Sequence, residues 1–411
     1  GTGQWSVVSG SATFTDPLDE GTVVTGLGPG ANVLKWTVTH LSCSNSDNVT
    51  ITNNTPTTAT AGIDKTLCAD NTTLGGNSPV YGTGEWTVVA GNGAFTNSNL
   101  FNTVVSNLDK GINTFRWTIT NNACVSFDEV SITNDLPDVA AAGPDQSLCA
   151  TTATLAANAP VTGTGLWSLV SGSGTFVLAT DEATDINGLA KGANTLRWTI
   201  TNNACSYSDD VIINNNIPTT ANAGPDQNVC ADNTILAGNN PVFGTGVWTV
   251  IAGNGTFANA TQYNTAVTGL DQGVNTFRWT ITNGACTSFD EVTINNNLPD
   301  AASAGPDQAL CATTATLAGN NPVTGSGTWS VVTGSGTFVN ANLFNTVVNG
   351  LSKGNNTLRW TISNGGCSLT DDVVITNNIP TAAAAGPDQT VCAATATLAG
   401  NNPAIGTGEW T

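Results

Sequence analysis

The sequence predicts an all-β chain of tandem β-sandwich domains in a linear array, and three observations support this prediction. The ten cysteines, from Cys43 to Cys392, alternate between a shorter and a longer spacing, which defines an 81-residue repeat. All eleven tryptophans occupy two positions of that repeat, one in GTGxW or its variant GSGTW and one in LKW, FRW or LRW. Asn, Thr, Gly and Ser supply most of the polarity, and no stretch shows a helical period.

The repeat divides the 411 residues into four full copies and an incomplete copy at each end. Because the sequence opens at GTGQW and closes at GTGEWT, the same repeat position, we expect it to be a window on a longer array. The predicted domains are residues 1–56 (the C-terminal part of a truncated repeat), four full repeats at 57–137, 138–218, 219–299 and 300–380, and residues 381–411 (the N-terminal part of a truncated repeat).

The copy at 57–137 illustrates the predicted strands in order. Residues 65–74 predict two short strands around Cys68, followed by a turn in GGNSP. The segment GEWTVVAG predicts a strand whose two-residue alternation places Trp86 and Val88 on the core face. A turn in AGNGAF and a short strand near Val104 follow.

The second half of the copy predicts a hairpin. NTFRWTIT is a strand with Arg116 facing outward, NNAC is a tight turn, and DEVSIT is the last strand. The predicted inward residues are Phe115, Trp117, Ile119, Val130 and Ile132. About seven short strands with a Cys, Trp, Cys order are typical of an immunoglobulin-like sandwich, whereas the coils of a β-solenoid are usually shorter.

The cysteine spacing allows two disulfide schemes. One closes Cys68 to Cys124 inside a repeat, and the other closes Cys43 to Cys68 across a junction. Loop entropy gives roughly 4 kcal/mol for either scheme and does not choose between them. Geometry favours the first, because the second must span a strand and a linker. The predicted bonds are Cys68–Cys124, Cys149–Cys205, Cys230–Cys286 and Cys311–Cys367, with the partners of Cys43 and Cys392 outside the window.

Pairs of acidic residues recur in the last strand. Such pairs could act in acid–base chemistry or bind calcium, but alternation places the second acid outward, opposite the arginine of the preceding strand. We therefore expect cross-strand ion pairs, each worth under about 1 kcal/mol. The predicted pairs are Arg116 with Glu129, Arg197 with Asp210, Arg278 with Glu291 and Arg359 with Asp372.

A second recurring acid, in the motif AGPDQ, is a candidate calcium ligand. The candidates are Asp145, Asp226, Asp307 and Asp388, and the linker residues Asp138 and Asp300 could add a second carboxylate. The alternative is a turn in which each aspartate bonds to nearby backbone. The DxDxDG calcium spacing is missing, which favours the turn, and we expect no other cofactor.

Composition excludes several function classes. The net charge of −20 argues against nucleic acid as a partner. One histidine outside any repeated motif and no activated serine argue against an enzyme. The inward tryptophans predict core packing rather than sugar stacking, although outward Thr and Asn rows leave direct glycan binding open. Recurring, paired cysteines predict an oxidised extracellular protein.

The motifs AGPDQ, GTGxW, GSGTF, NTLRWTI and DDVVIT resemble the PKD-like and immunoglobulin-like repeats of giant surface adhesins from gliding and biofilm-forming Bacteroidota-type bacteria. WTVVAGNG replaces the WDFGDG signature of standard PKD domains, so properties tied to those aspartates do not carry over. The resemblance implies secretion to the cell surface, a role in adhesion, gliding motility or a surface filament, and a disulfide between the LCA and NNAC cysteines.

Two functions remain. Linkers such as DLPDVAAAG, which contain proline and alanine, predict short extended connections, so the repeats form a semi-rigid stalk whose ligand binds elsewhere. Alternatively, the repeats associate laterally with other copies of the chain as a filament. Alternate copies share FRW with SFDEV or LRW with DDV, so the working unit is predicted to be a 162-residue pair.

Overall fold

The computed structural model describes residues 1–411, and its regular elements are all β-strands. It contains no helix of the length and apolarity that crossing a membrane requires. The chain divides into two compact units, Gly1–Asn215 and Asn216–Thr411. Each unit contains two full copies of the repeat.

The first unit also holds an incomplete copy at its start. Residues 1–56 contain β1 (Thr2–Ser9), β2 (Thr13–Phe14), β3 (Val24–Thr25), β4 (Gly30–His40) and β5 (Cys43–Asn53). Residues 57–137 contain β6 (Lys65–Leu67), β7 (Thr72–Thr73), β8 (Thr83–Ala90), β9 (Ala94–Phe95), β10 (Val104–Ser106), β11 (Gly111–Asn121) and β12 (Cys124–Asn134). Residues 138–215 contain β13 (Gln146–Leu148), β14 (Thr152–Thr154), β15 (Thr164–Ser171), β16 (Thr175–Phe176), β17 (Asp185–Asn187), β18 (Gly192–Asn202) and β19 (Cys205–Asn215).

The second unit ends with residues 381–411, which contain no strand. Its first full copy consists of β20 (Gln227–Val229), β21 (Asn233–Ile235), β22 (Thr245–Ala252), β23 (Thr256–Phe257), β24 (Ala266–Thr268), β25 (Gly273–Asn283) and β26 (Cys286–Asn296). Its second copy consists of β27 (Gln308–Leu310), β28 (Thr314–Thr316), β29 (Ser326–Thr333), β30 (Thr337–Phe338), β31 (Val347–Asn349), β32 (Gly354–Asn364) and β33 (Cys367–Asn377).

Each full copy is a two-layer sandwich. In residues 57–137 one sheet has four strands in the order β6-β12-β11-β8, and the other has three in the order β7-β10-β9. Strand β6 runs parallel to β12, and the other neighbours are antiparallel. The same two sheets recur in the other three full copies. This topology confirms the predicted all-β, immunoglobulin-like array.

The predicted strands of this copy are present, with two differences. The turn in AGNGAF contains the two-residue strand β9, and the last strand begins at Cys124, four residues before DEVSIT. Val88 lies opposite Phe115 on the core side but is 40% exposed, because the short strands of the second sheet do not cover it. Sequence alternation predicted its side correctly and its burial wrongly.

The core of each copy is built around its two tryptophans. Trp86 and Trp117 lie directly opposite each other on β8 and β11, with ring centroids 5.1 Å apart and planes tilted by 39°. Both rings are buried, as are Phe115, Ile119 and Ile132. Each of the other full copies has a corresponding cluster of its own. The tryptophans of the four full copies are therefore core residues, whereas Trp410, in residues 381–411, is 57% exposed.

The second glycine of GTGxW lies under one of these rings. A Cβ atom on Gly84 would lie 2.1 Å from Cζ2 of Trp117, far inside van der Waals contact. The three later full copies repeat this approach at Gly165, Gly246 and Gly327. The glycine pairs of GTG and GSG look like turn residues in the sequence, whereas the structure shows that this one makes room for the tryptophan.

A buried asparagine fixes the turn before the second tryptophan strand. Asn113 is fully buried, and its Oδ1 accepts hydrogen bonds from the backbone N–H groups of Asn92 and Asp109 at 2.9 and 3.1 Å. Its Nδ2 donates to the carbonyl oxygen of Asp109 at 2.8 Å. Asn194, Asn275 and Asn356 make equivalent bonds. The amide thus satisfies backbone groups that would otherwise be buried without partners.

Candidate functional site

The distinctive feature of this chain is the covalent junction between consecutive repeats. Cys68, in the copy at 57–137, is bonded to Cys205, in the copy at 138–218, with Cα atoms 5.4 Å apart. In the second unit Cys230 is bonded to Cys367, with Cα atoms 5.5 Å apart. Both bonds have a sequence separation of 137. Each disulfide therefore ties one repeat to the next.

The structure contradicts the predicted pairings Cys68–Cys124, Cys149–Cys205, Cys230–Cys286 and Cys311–Cys367. Cys68 directly follows Leu67, which lies opposite Asn134 at the end of β12. Cys124 begins β12, ten residues away along a strand that rises about 3.3 Å per residue. The two cysteines of one repeat thus lie roughly 33 Å apart, whereas a disulfide needs Cα atoms about 4.4–6.8 Å apart. The alternative pairing of Cys43 with Cys68 is wrong as well.

The remaining cysteines divide into two groups. Cys43, Cys124, Cys311 and Cys392 are free and exposed. Cys149 and Cys286 are disulfide-bonded. Of the eight cysteines predicted to form disulfides, Cys124 and Cys311 are therefore reduced in this structure.

Polar contacts surround the disulfide of the first unit. The Asp135 backbone N–H donates to the Leu67 carbonyl oxygen at 2.9 Å. From the next repeat, the side-chain amides of Asn202 and Asn203 donate to the Asp135 carbonyl oxygen at 3.1 Å and to its carboxylate at 2.9 Å. Because Asn202 and Asn203 belong to the hairpin turn before Cys205, these bonds hold that turn against the preceding repeat.

An ion pair lies at the same junction. Lys110 of one repeat pairs with Asp138, which also accepts hydrogen bonds from the backbone N–H groups of Val161 and Thr162 at 2.6 and 2.9 Å. The lysine hydrogen bond, followed by those from Thr162 and Val161, lowers the pKa of Asp138 to about 2. This carboxylate, named above as a possible second calcium ligand, connects the linker to both repeats.

The junction of the second unit has different side chains in the same roles. The backbone N–H of Asn297 donates to the Val229 carbonyl oxygen at 2.8 Å, and its side chain donates to the Gly365 carbonyl oxygen at 3.3 Å. Gln272 stands where the first junction has a lysine and accepts from the Thr324 hydroxyl at 2.8 Å. Backbone N–H groups of Thr324 and Val323 lower the pKa of the Asp300 carboxyl. The two junctions thus have disulfides at equivalent positions, but the first has a lysine–aspartate ion pair where the second has an uncharged glutamine.

The recurring acid pairs have two separate structural roles. The first acid caps the linker, as when Asp128 Oδ2 accepts from the Ala61 N–H at 2.8 Å. Equivalent bonds join Asp209 to Ala142, Asp290 to Ala223 and Asp371 to Ala304. The second acid faces outward, where Arg116 Nε donates to Glu129 Oε1 at 2.8 Å.

The other three arginine pairs are formed in the same way. Arg197 bonds to Asp210, Arg278 to Glu291 and Arg359 to Asp372. The arginine hydrogen bond lowers the pKa of Asp210 and, equivalently, of Asp372. In alternate copies the guanidinium also lies over a phenylalanine, with Arg116 4.4 Å from the Phe127 centroid and Arg278 4.2 Å from that of Phe289.

The AGPDQ aspartates bond to the last strand of their own repeat. Asp145 Oδ1 accepts from the Ile212 N–H at 2.8 Å, and Asp226 and Asp307 accept from Thr293 and Val374 at the same distance. Asp388 lies in residues 381–411, which contain no strand. Nowhere do three His, Cys, Asp or Glu side chains form a group that could hold a metal ion. Asp145, Asp226 and Asp307 therefore bond to backbone, but to a strand 67 residues away and not within their own turn as the sequence predicted.

No protein-family model matches the chain, and no curated protein matches it. Among solved structures it is similar to the eight N-terminal immunoglobulin domains of Down syndrome cell adhesion molecule, at 10% identity and a TM-score of 0.34, over 92% of this chain and 56% of that one. A three-immunoglobulin fragment of titin gives 12% identity and a TM-score of 0.33, over 59% and 97% of the two chains. The insect immune protein hemolin gives 11% and 0.28, over 78% and 99%. The chain thus spans little more than half the length of the first of these structures.

Proposed function

We propose that this chain is a structural extracellular repeat region that acts as a semi-rigid stalk of a bacterial surface adhesin. The observation that carries the proposal is the disulfide between consecutive repeats, Cys68–Cys205 and Cys230–Cys367. A covalent bond at a domain junction restricts rotation about the linker, and the Lys110–Asp138 pair adds a second restraint on the same junction. Both features serve a spacer better than a flexible tether.

The extracellular part of the proposal follows from the chemistry of these bonds. Disulfides persist in oxidising compartments, and here each one joins sulfurs that are far apart in sequence. The motif resemblance adds the Bacteroidota-type cell surface and a role in adhesion or gliding motility. The ligand of the whole adhesin, a surface or a glycan, would bind outside these repeats.

Small-angle scattering of the oxidised and reduced chain tests the stalk. We expect an elongated monomer with a well-defined maximum dimension when the chain is oxidised. After reduction the distribution of dimensions should become broader. The matched control is the variant Cys124→Ala/Cys311→Ala, which removes two free thiols and leaves the junctions intact. A collapsed, flexible particle in the oxidised state would contradict the proposal.

A second candidate is a filament of laterally associated chains, and one observation favours it. Phe127 and Phe289 are 58% and 59% exposed on the outer sheet face, at equivalent positions of alternate copies. Repeated apolar residues on a sheet face can pair with another copy. Light scattering across a salt series separates the two candidates, since the stalk stays monomeric whereas the filament forms bundles as salt screens the charge of −20.

A further inference from the structure

We propose that the junction disulfides make this array a nearly inextensible, load-bearing tether in which most of each repeat is shielded from tension. This inference rests on the proposed stalk function and adds a mechanical role to it. Two features support it, namely the order of the bonds along the chain and the strands that lie between them.

The two bonds create a short covalent route through the array. A pull that reaches Cys68 crosses its disulfide to Cys205, follows the backbone to Cys230, and crosses a second disulfide to Cys367. The backbone route between Cys68 and Cys367 is much longer, because it also includes both loops that the disulfides close. The tension therefore bypasses residues 69–204 and 231–366.

The lengths of the two routes differ about tenfold. At about 3.5 Å per fully extended residue, the segment from Cys205 to Cys230 and the two disulfides reach roughly 100 Å. The whole backbone between Cys68 and Cys367 would reach roughly 1,000 Å. Unfolding of the bypassed residues cannot lengthen the oxidised chain, because both ends of each bypassed loop are fixed at one disulfide.

The short route also has little slack. The segment on this route, residues 205–230, contains the 11-residue strand β19, a linker and the three-residue strand β20. A strand already rises about 3.3 Å per residue, close to the fully extended value. The linker in this segment is fastened by the hydrogen bond from the Ala223 N–H to Asp290.

The strand on this route is held in a favourable direction. Strand β19 pairs with β18 along all eleven of its residues, and with β13 at its end. A pull along the strand loads these hydrogen bonds together, because they lie perpendicular to it. Peeling the strand from one end would break them in succession at lower force. The architecture thus places a strand that is paired along its whole length in the path of tension.

Single-molecule stretching of the 411-residue chain between cysteine-free handles fused at its two ends tests the proposal. We expect the oxidised chain to reach a contour length of roughly 480 Å, because only residues 1–68, 205–230 and 367–411 bear load. Reduction with dithiothreitol should add roughly 950 Å. The variant Cys68→Ala/Cys205→Ala, kept oxidised, should add up to roughly 480 Å as residues 69–204 rejoin the load-bearing route, whereas the control Cys124→Ala/Cys311→Ala should add nothing.

Contour length depends on the covalent route whether or not a variant folds. Each outcome therefore either supports or contradicts the proposed tether. If the oxidised wild-type chain extends as far as the reduced chain, or if the Cys68→Ala/Cys205→Ala variant matches its control, the tether is wrong. The proposed semi-rigid stalk is tested separately from the tether. A flexible particle in scattering with a short contour length would reject the semi-rigid stalk and keep the tether, whereas a rod with a long contour length would do the reverse.

Discussion

Leu67 lies opposite Asn134 in a parallel register, and this pairing determines the covalent architecture of the chain. Because strand β6 ends beside the end of β12, the following residue, Cys68, is carried to the end of its repeat that meets the next copy. There it finds Cys205, which begins strand β19 directly after a hairpin turn. The position of the junction disulfide therefore depends on this register.

The first prediction is the disulfide map of the oxidised chain. Non-reducing digestion and mass spectrometry should recover peptides joined through Cys68–Cys205 and Cys230–Cys367. Alkylation before reduction should label four thiols, at Cys43, Cys124, Cys311 and Cys392. Recovery of Cys68 joined to Cys124 would contradict the parallel register itself.

Much of the fold could be predicted from sequence because the signals were local. Alternation in FRW placed Trp117 inward and Arg116 outward, and the turn length set Arg116 opposite Glu129. The disulfides could not be predicted in this way. Their partners depend on whether β6 runs parallel or antiparallel to β12, and a three-residue strand carries no pattern that distinguishes the two.

The roles of small polar residues were missed for a related reason. Asn113 looks like one more turn residue in a chain rich in asparagine, and only burial shows that its amide bonds to the backbone of two separate turns. Gly84 looks like a turn glycine until the ring of Trp117 is placed over it. In both cases the partner is distant in sequence, and a tightly matched buried environment decides the residue type.

The second prediction concerns acid sensitivity of the junction. The folded-state pKa of Asp138 is lowered to about 2, below the ordinary value of 3.8. A depressed folded pKa stabilises the folded form above about pH 4, and this contribution is lost as pH falls from about 4 towards 2. Between these values the melting temperature of the wild-type chain should fall more steeply than that of Asp138→Asn.

The lysine provides the control for this prediction. Its hydrogen bond is the largest cause of the lowered pKa, so Lys110→Gln should make the pH profile shallower while leaving the bonds from Val161 and Thr162 in place. Identical melting profiles for wild type and Asp138→Asn across this range would show that the pair does not contribute to stability.

The third prediction concerns calcium. Because Asp145 Oδ1 already accepts a hydrogen bond from the Ile212 N–H, we expect the melting temperature to be the same in calcium and in a chelator. Asp145→Ala should destabilise the repeat by about 1 kcal/mol through the lost acceptor. Asp145→Asn keeps an oxygen at this position and should have a smaller effect. A chelator-dependent shift in the wild type, abolished in Asp145→Asn, would establish a metal site instead.

The fourth prediction tests the close approach of glycine and tryptophan. In Gly84→Ala the new methyl group would lie 2.1 Å from Cζ2 of the buried Trp117 ring, so either the ring or strand β8 must shift. Overpacking of this kind costs about 1–3 kcal/mol, which urea unfolding followed by tryptophan fluorescence can measure. Gly75→Ala is the matched control, since a Cβ atom there would meet nothing within 4 Å. Equal stability of the two variants would mean that the ring does not pack on this glycine, and the recurrence of GTGxW would then need another cause.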